Sequence, residues 1–384
     1  MTEQDDRLRR LARELNAIGG EASLPPVARD SGGKLRLDFL LARAAEIRAS
    51  DLLLVPGVPP VARVDGRLLA IDPELLDDRG AAALIGEVLE ERWAKVLEER
   101  MAADFGFDRP GLGRFRCNVH HQRGSLAAAI RALPAAIPGL DALGLPQVLT
   151  RFAALERGLV LACGPAGCGK STTLAAIVSI VNRTRNAHVI TIEDPIEYVH
   201  AHGTSIVEQV EVGLDTRSFG DALRHALRQD PDVILVGEMR DRETIALALT
   251  AAETGHLVLS TLHTGTMAQT LDRIVDVFPE EQQPQVRAQL ALSLAGIVLQ
   301  QLLPRCLGPG RVPAVEVLLA NDAIRNLVRR GMNHQIPAQV TMGRTAGMIP
   351  MDESLARLVK TGTVARDEAL RRAAHPDEFE SLLR

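Results

Sequence analysis

The stretch G-L-V-L-A-C-G-P-A-G-C-G-K-S-T-T-L, residues 158–174, constrains this chain more than any other. An apolar run with no polar alternation suits a strand covered on both faces, and here it passes through a glycine-rich loop into a helical stretch. The loop Gly164–Ser171 fits G-x-x-x-x-G-K-[ST]. Its glycines let the backbone curl so that N–H groups point inward at phosphates, and the next helix directs its positive end there. Lys170 suits the β/γ-phosphates and Ser171 suits Mg²⁺. The expected ATP-binding residues are therefore Gly164, Pro165, Ala166, Gly167, Cys168, Gly169, Lys170, Ser171 and Thr172, and the expected cofactors are ATP and Mg²⁺.

Further apolar runs follow: H-V-I-T-I-E at 188–193, D-V-I-L-V-G at 232–237 and H-L-V-L-S-T-L at 256–262, with helical stretches between them. This alternation predicts an α/β domain with a parallel sheet. Ligands bind at the carboxyl ends of such strands, so Glu193, Asp194, Glu238 and His263, each just at or past a strand end, are expected to face the phosphates. Hydrolysis of a phosphoanhydride needs a carboxylate to orient water and oxygen ligands for a metal. Glu238 and Glu193 are the candidates, with Glu193, Asp194 and Glu238 holding Mg²⁺ through water. Gly237 occupies a position where such motifs usually carry an aspartate, so direct ligation from that strand is not expected. A histidine at the third strand end is suited to hydrogen-bond the γ-phosphate.

With 384 residues and 46% hydrophobic content, the chain is long enough for two or three cores. The first, from about Leu37 to Leu133, is expected to contain a strand at 52–55, a strand Val61–Val64 turning at Asp65-Gly66, and one long helix around Ala81–Met101. Residues 2–20 read as an amphipathic helix on Leu8, Leu11, Leu15 and Ile18. The segment 134–146, P-A-A-I-P-G-L-D-A-L-G-L-P, reads as a hinge because proline and glycine interrupt any period. After about Leu303 short helices are expected. The net charge of -5 and 3% aromatic content speak against nucleic acid as a partner. Four cysteines, at 117, 163, 168 and 306, form no C-x-x-C, so neither disulfides nor zinc is expected. With no apolar run of spanning length and no signal peptide, the expectation is a cytoplasmic protein without direct membrane insertion.

G-P-A-G-C-G-K-S-T-T, I-T-I-E-D-P-I-E, P-D-V-I-L-V-G-E-M-R-D and T-A-A-E-T-G-H-L-V-L-S-T-L-H-T, in this order, resemble the Walker A, Asp box, Walker B and His box of the type II/IV secretion ATPase superfamily. Within it the chain is most similar to the retraction ATPases of type IV pili, the PilT family. The resemblance implies a PAS-like N-terminal α+β domain, a RecA-like ATPase domain with a helical C-terminal part, and a homohexamer. The implied divisions are 1–35 as an extension, 36–133, a linker 134–146, 147–304 and 305–384. It implies that Arg116 and Arg131, with Arg114 as a weaker candidate, approach nucleotide. It also implies an inner-membrane pilus platform protein as partner, a paralogous retraction ATPase as another, and a peripheral position at the inner membrane. Leu53 stands where the family commonly has histidine, H-H-Q-R-G is one residue short, and residues 1–35 have no counterpart.

The segment A-I-R-N-L-V-R-R, 323–330, is similar to a family element A-I-R-N-L-I-R-E and differs at Val328 and Arg330. From its residues alone it is a short amphipathic helix with Asn321 or Asp322 as cap and Gly331 as terminator. The resemblance makes Ile324, Arg325, Asn326 and Leu327 a coupling surface. The functional expectation is a motor powering pilus retraction and twitching motility. The alternatives are an assembly or secretion ATPase of the same superfamily, a nucleic-acid translocase, and a regulatory subunit without turnover.

Overall fold

The computed structural model describes residues 27–64, 66–134, 136–308 and 310–384; the expected helix of residues 2–20 and the turn residue Asp65 lie outside them. The chain divides into two compact units at Ala135/Ala136.

The first unit is built on an antiparallel sheet of β1 (Asp51–Leu54), β2 (Val61–Val64), β3 (Arg67–Ala70), β4 (Ala102–Arg109), β5 (Gly113–Gln122) and β6 (Ser125–Ala132), in the order β3-β2-β1-β6-β5-β4. Strand β5 alternates as a half-covered strand must, with Phe115, Cys117 and Val119 buried and Arg114, Arg116 and Asn118 facing the other way. Helices Leu37–Glu46, Asp78–Gly86 and Glu91–Arg100 contribute Leu40, Leu84 and Trp93 to the buried face, where Trp93 stacks on Phe105 at 5.4 Å between centroids. The single long helix expected around Ala81–Met101 is two helices: Gly86 closes the first, and Glu90 is extended (φ -66, ψ 157) as the cap of the second.

The second unit is a three-layer α/β structure. Its sheet comprises β7 (Gly158–Cys163), β8 (His188–Glu193), β9 (Ile206–Glu211), β10 (Val233–Val236), β11 (Leu257–Leu262), β12 (Leu294–Pro304) and β13 (Arg311–Leu319), ordered β13-β12-β7-β11-β10-β8-β9. All six residues of β7 are buried. Leu159, Leu161 and Cys163 join one core and Val160 and Ala162 the other, so each pleat face has its own helical cover. Strands β12, β7, β11, β10, β8 and β9 run parallel to their neighbours, whereas β13 pairs antiparallel with β12. The expectation of helices after Leu303 misses β13; its run V-P-A-V-E-V-L-L is an apolar strand that closes the sheet. Within the segment 134–146, residues Leu140–Leu143 form a helical turn, and Leu140 and Leu145 are buried in the second unit's core. All four cysteines are free thiols. Among the described residues, no helix is long and apolar enough to cross a membrane.

Candidate functional site

Parallel pairing aligns the strand ends. Cys163 of β7 is level with Leu262 of β11, and Val236 of β10 is level with both Ser260 of β11 and Ile192 of β8. The residues that follow these ends, Gly164, His263, Glu238 and Glu193–Asp194, therefore collect along one edge of the sheet.

The loop Gly164–Gly169 joins β7 to the helix Lys170–Thr184, whose cap Gly169 has φ +91. Gly164 has φ +138, and a Cβ there would stand 2.3 Å from the Gln300 carbonyl oxygen, so only glycine fits. Lys170 is 6% exposed, and its Nζ donates to the carbonyls of Gly164 and Pro165, both at 2.9 Å. The same Nζ lies 3.4 Å from His263 Nδ1, and His263 Nε2 lies 3.8 Å from Glu238 Oε2. Burial and the Lys170 charge both hold the His263 pKa below its ordinary value, so the ring is neutral at neutral pH. Since an ammonium only donates, Nδ1 accepts and the ring proton sits on Nε2, toward Glu238. Glu238 Oε1 pairs with Arg240 Nε at 2.7 Å.

Gly237 donates its N–H to the Ile192 carbonyl at 2.7 Å. A Cβ on it would come within 3.2 Å of that oxygen and 3.4 Å of Glu193 Cα, so the crossing of β10 and β8 is tight where a metal-binding aspartate was not expected. Glu193 Oε1 accepts from Thr191 Oγ1 at 2.7 Å and Gln209 Nε2 at 3.2 Å. Burial raises its pKa despite these donors. Asp194 is exposed, as are Pro165, Ala166, Gly167 and Ser171. Thr172 turns to Tyr198, with 3.1 Å between the hydroxyls. A serine hydroxyl with Glu193, Asp194 and Glu238 on neighbouring strand ends is an all-oxygen donor set, the kind a magnesium ion takes with several of its waters retained.

The structure thus gathers Lys170, His263 and Glu238 by direct approach and Glu193 by strand adjacency. Arg116 and Arg131 belong to the first unit, where they are cross-strand partners in the β5–β6 register. Arg131 Nε donates to Asp51 Oδ1 at 2.8 Å, and Arg116 lies 3.9 Å from Asp104. Arg114 pairs with Asp108 at 2.9 Å. The helix Asp322–Arg330 forms as expected from its caps: Asn321 Oδ1 accepts from Ile324 N at 2.9 Å, and Gly331 has φ +68. Ile324 and Val328 are buried, Leu327 is half-buried, Asn326 is exposed, and Arg325 lies 3.9 Å from Asp322.

Two residues around the loop escaped sequence reasoning. Tyr198 is the only tyrosine in the chain. Gln300, 3% exposed, interrupts the apolar run I-V-L-Q-Q-L-L, and a buried amide in such a run signals a hydrogen-bonding duty.

The family model described as "Type II/IV secretion system protein" matches residues 129–377. The chain is 46% identical over 340 residues to the type IV pilus retraction ATPase PilT of Pseudomonas aeruginosa, covering 88% of this chain and 98% of that one. It is 44% identical over 320 residues to a twitching motility protein of Neisseria gonorrhoeae, covering 83% and 86% respectively. A crystal structure of the pilus retraction motor PilT with bound ADP superposes with a TM-score of 0.85 at 47% identity, covering 91% of this chain and 100% of that chain. With its phosphate loop, acidic strand ends and histidine on one sheet edge, the chain belongs to the type II/IV secretion system protein family, among its type IV pilus retraction ATPases.

Proposed function

We propose that this chain is the Mg²⁺-dependent ATPase motor that powers type IV pilus retraction and twitching motility. The observation that carries the reading is the line Lys170, His263, Glu238 along the carboxyl edge of the sheet, at 3.4 and 3.8 Å, in a chain similar over nearly its whole length to retraction ATPases. The loop 164–172 receives the phosphates of ATP, and Lys170 exchanges its two carbonyl partners for phosphate oxygens. Ser171 would hold Mg²⁺ directly, and Glu193, Asp194 and Glu238 would hold it through water; bound there, the ion would supply neutralisation of the charge that develops on the leaving phosphates. Glu238 orients the attacking water, with Glu193 as the second carboxylate beside it. His263, neutral and with its proton on Nε2, donates a hydrogen bond toward the γ-phosphate.

In this reading the first unit is PAS-like and the second RecA-like, divided at the linker, with 305–384 as the C-terminal part. The protein works as a homohexamer, in which Arg116 and Arg131 of one subunit approach the nucleotide of the next and offset transition-state charge. Ile324, Arg325, Asn326 and Leu327 transmit the stroke to an inner-membrane platform protein, with a paralogous retraction ATPase as a further partner. The motor acts from the cytoplasm without binding nucleic acid. Deleting the gene and scoring surface pili tests this reading. Excess pili without twitching is the expected outcome; loss of pili would assign the chain to assembly, and unchanged pili would refute a pilus role.

A further inference from the structure

Strand β12 pairs with β7 as far as Leu299↔Cys163. There β7 turns away into the phosphate loop while β12 runs on, so Gln300 is the first residue of β12 to lie beside the loop instead of beside a strand. Its amide is used at both ends. Nε2 donates to the Cys168 carbonyl at 2.6 Å, and Oε1 accepts from Thr173 Oγ1 at 2.7 Å. The Gln300 backbone oxygen occupies the space that a Cβ on Gly164 would need, at 2.3 Å, and Nε2 does the same for Gly169, at 2.7 Å. One residue therefore touches the beginning of the loop with its backbone, and the end of the loop and the following helical turn with its side chain. The orientation of the amide is fixed, because the Cys168 carbonyl only accepts and would repel an oxygen in that place.

A trans peptide unit is planar, with its C=O and its N–H pointing in opposite directions. Drawing the Cys168 carbonyl onto Gln300 consequently aims the Gly169 N–H away from β12. An inward-pointing backbone N–H is what such a loop offers an anion. We propose that Gln300 is a positioning residue for the phosphates of the bound nucleotide: it pins the Cys168–Gly169 peptide so that the Gly169 amide donates to phosphate. Thr173 serves the same end by holding the other side of the amide. The proposal rests on the ATPase reading and adds to it a residue outside all four motifs.

Gln300→Met keeps the volume and removes both hydrogen bonds. Dissociation constants for ATP, ADP and adenosine, measured by calorimetry on the full-length protein, test the proposal together with KM and kcat. The expected result is an approximately tenfold weakening for ATP and ADP and no change for adenosine, because one lost hydrogen bond to a charged group is felt only by ligands that carry phosphate. KM should rise by the same factor with kcat within about threefold. Thr173→Val should give a weaker loss of the same kind and add nothing in the Gln300→Met background, since both changes release one amide. Should Gln300→Met prove unstable, Thr173→Val alone carries the same comparison between phosphate-bearing ligands and adenosine. Parental affinity for ATP in a folded variant, or an equal loss for adenosine, would overturn the proposal. Absence of ATP binding by the unaltered protein would instead refute the ATPase reading.

Discussion

Lys170 Nζ and His263 Nδ1 stand 3.4 Å apart. They come from the start of the helix Lys170–Thr184 and from the end of β11, 93 residues on in the chain. Strand adjacency makes the meeting possible, since β11 is the direct neighbour of β7. The lysine fixes the histidine tautomer, which leaves the ring proton on Nε2, the nitrogen that faces Glu238.

His263→Ala should lower kcat about 10- to 100-fold with little change in ATP affinity, the effect of losing one charge-assisted hydrogen bond of about 1.5–3 kcal/mol. Steady-state kinetics and nucleotide titration separate the two quantities. An unchanged kcat would remove His263 from the site.

Glu238→Gln should retain ATP binding while hydrolysis falls by roughly 10²-fold or more, as for loss of a group that orients water. Lys170→Ala should abolish nucleotide binding or turnover. Phosphate release measured beside nucleotide binding distinguishes the two variants, and a parental rate in Glu238→Gln would reassign the base.

For the arginines, neither Arg131→Ala nor Lys170→Ala subunits should hydrolyse ATP alone. Mixing them should restore a fraction of the activity, because some neighbouring pairs then present an intact Arg131 to an intact loop. If the mixture stays as inactive as its components, Arg131 does not act across subunits.

Burial, reinforced by the Asp352 carboxylate and opposed by His375, pushes the Glu316 carboxyl from 4.5 up to about 7. Below 4.5 both folded and unfolded chains hold that proton. Between 4.5 and about 7 the unfolded chain ionises first, so this group's contribution to stability falls as pH rises through that window. Glu316→Gln should therefore be more stable than the parent at pH 8, by on the order of 2–3 kcal/mol, and equal to it at pH 4. Denaturant midpoints at the two pH values measure the difference; equal stabilities at the higher pH would contradict it.

On the helix Asp322–Arg330, Arg325→Ala and Asn326→Ala should stop retraction while leaving much of the ATPase. Ile324 is a poorer probe, because it is fully buried and its truncation to alanine costs about 2–5 kcal/mol of stability. Twitching assays alongside ATPase rates decide the matter, and normal twitching in both variants would leave the helix with a packing role only.

The site was legible where chemistry forces a short pattern. A loop that turns this tightly needs glycine at Gly164 and Gly169, and a strand that delivers a carboxylate to the sheet edge shows as an apolar run ending in Glu193 or Glu238. Features resting on distant partners were not legible. Gln300 contacts Cys168 across 132 positions, and no local spacing marks that relation. Strand β13 was missed because its neighbour β12 supplies the pairing that makes V-P-A-V-E-V-L-L a strand. The split near Glu90 was missed because periodicity continues through a break made by one extended residue.

The helix Asp322–Arg330 is closed at both ends by residues of its own neighbourhood, Asn321 at the start and left-handed Gly331 at the finish. Arg287, from the adjoining helix Gln283–Ser293, runs alongside that finish, within 3.4 Å of where a Gly331 side chain would begin. Such an element is stiff for its length. In the coupling role proposed for it, a displacement entering from β13, just ahead of Asn321, would pass through as a shift of the whole rod, with little of it dissipated in fraying turns.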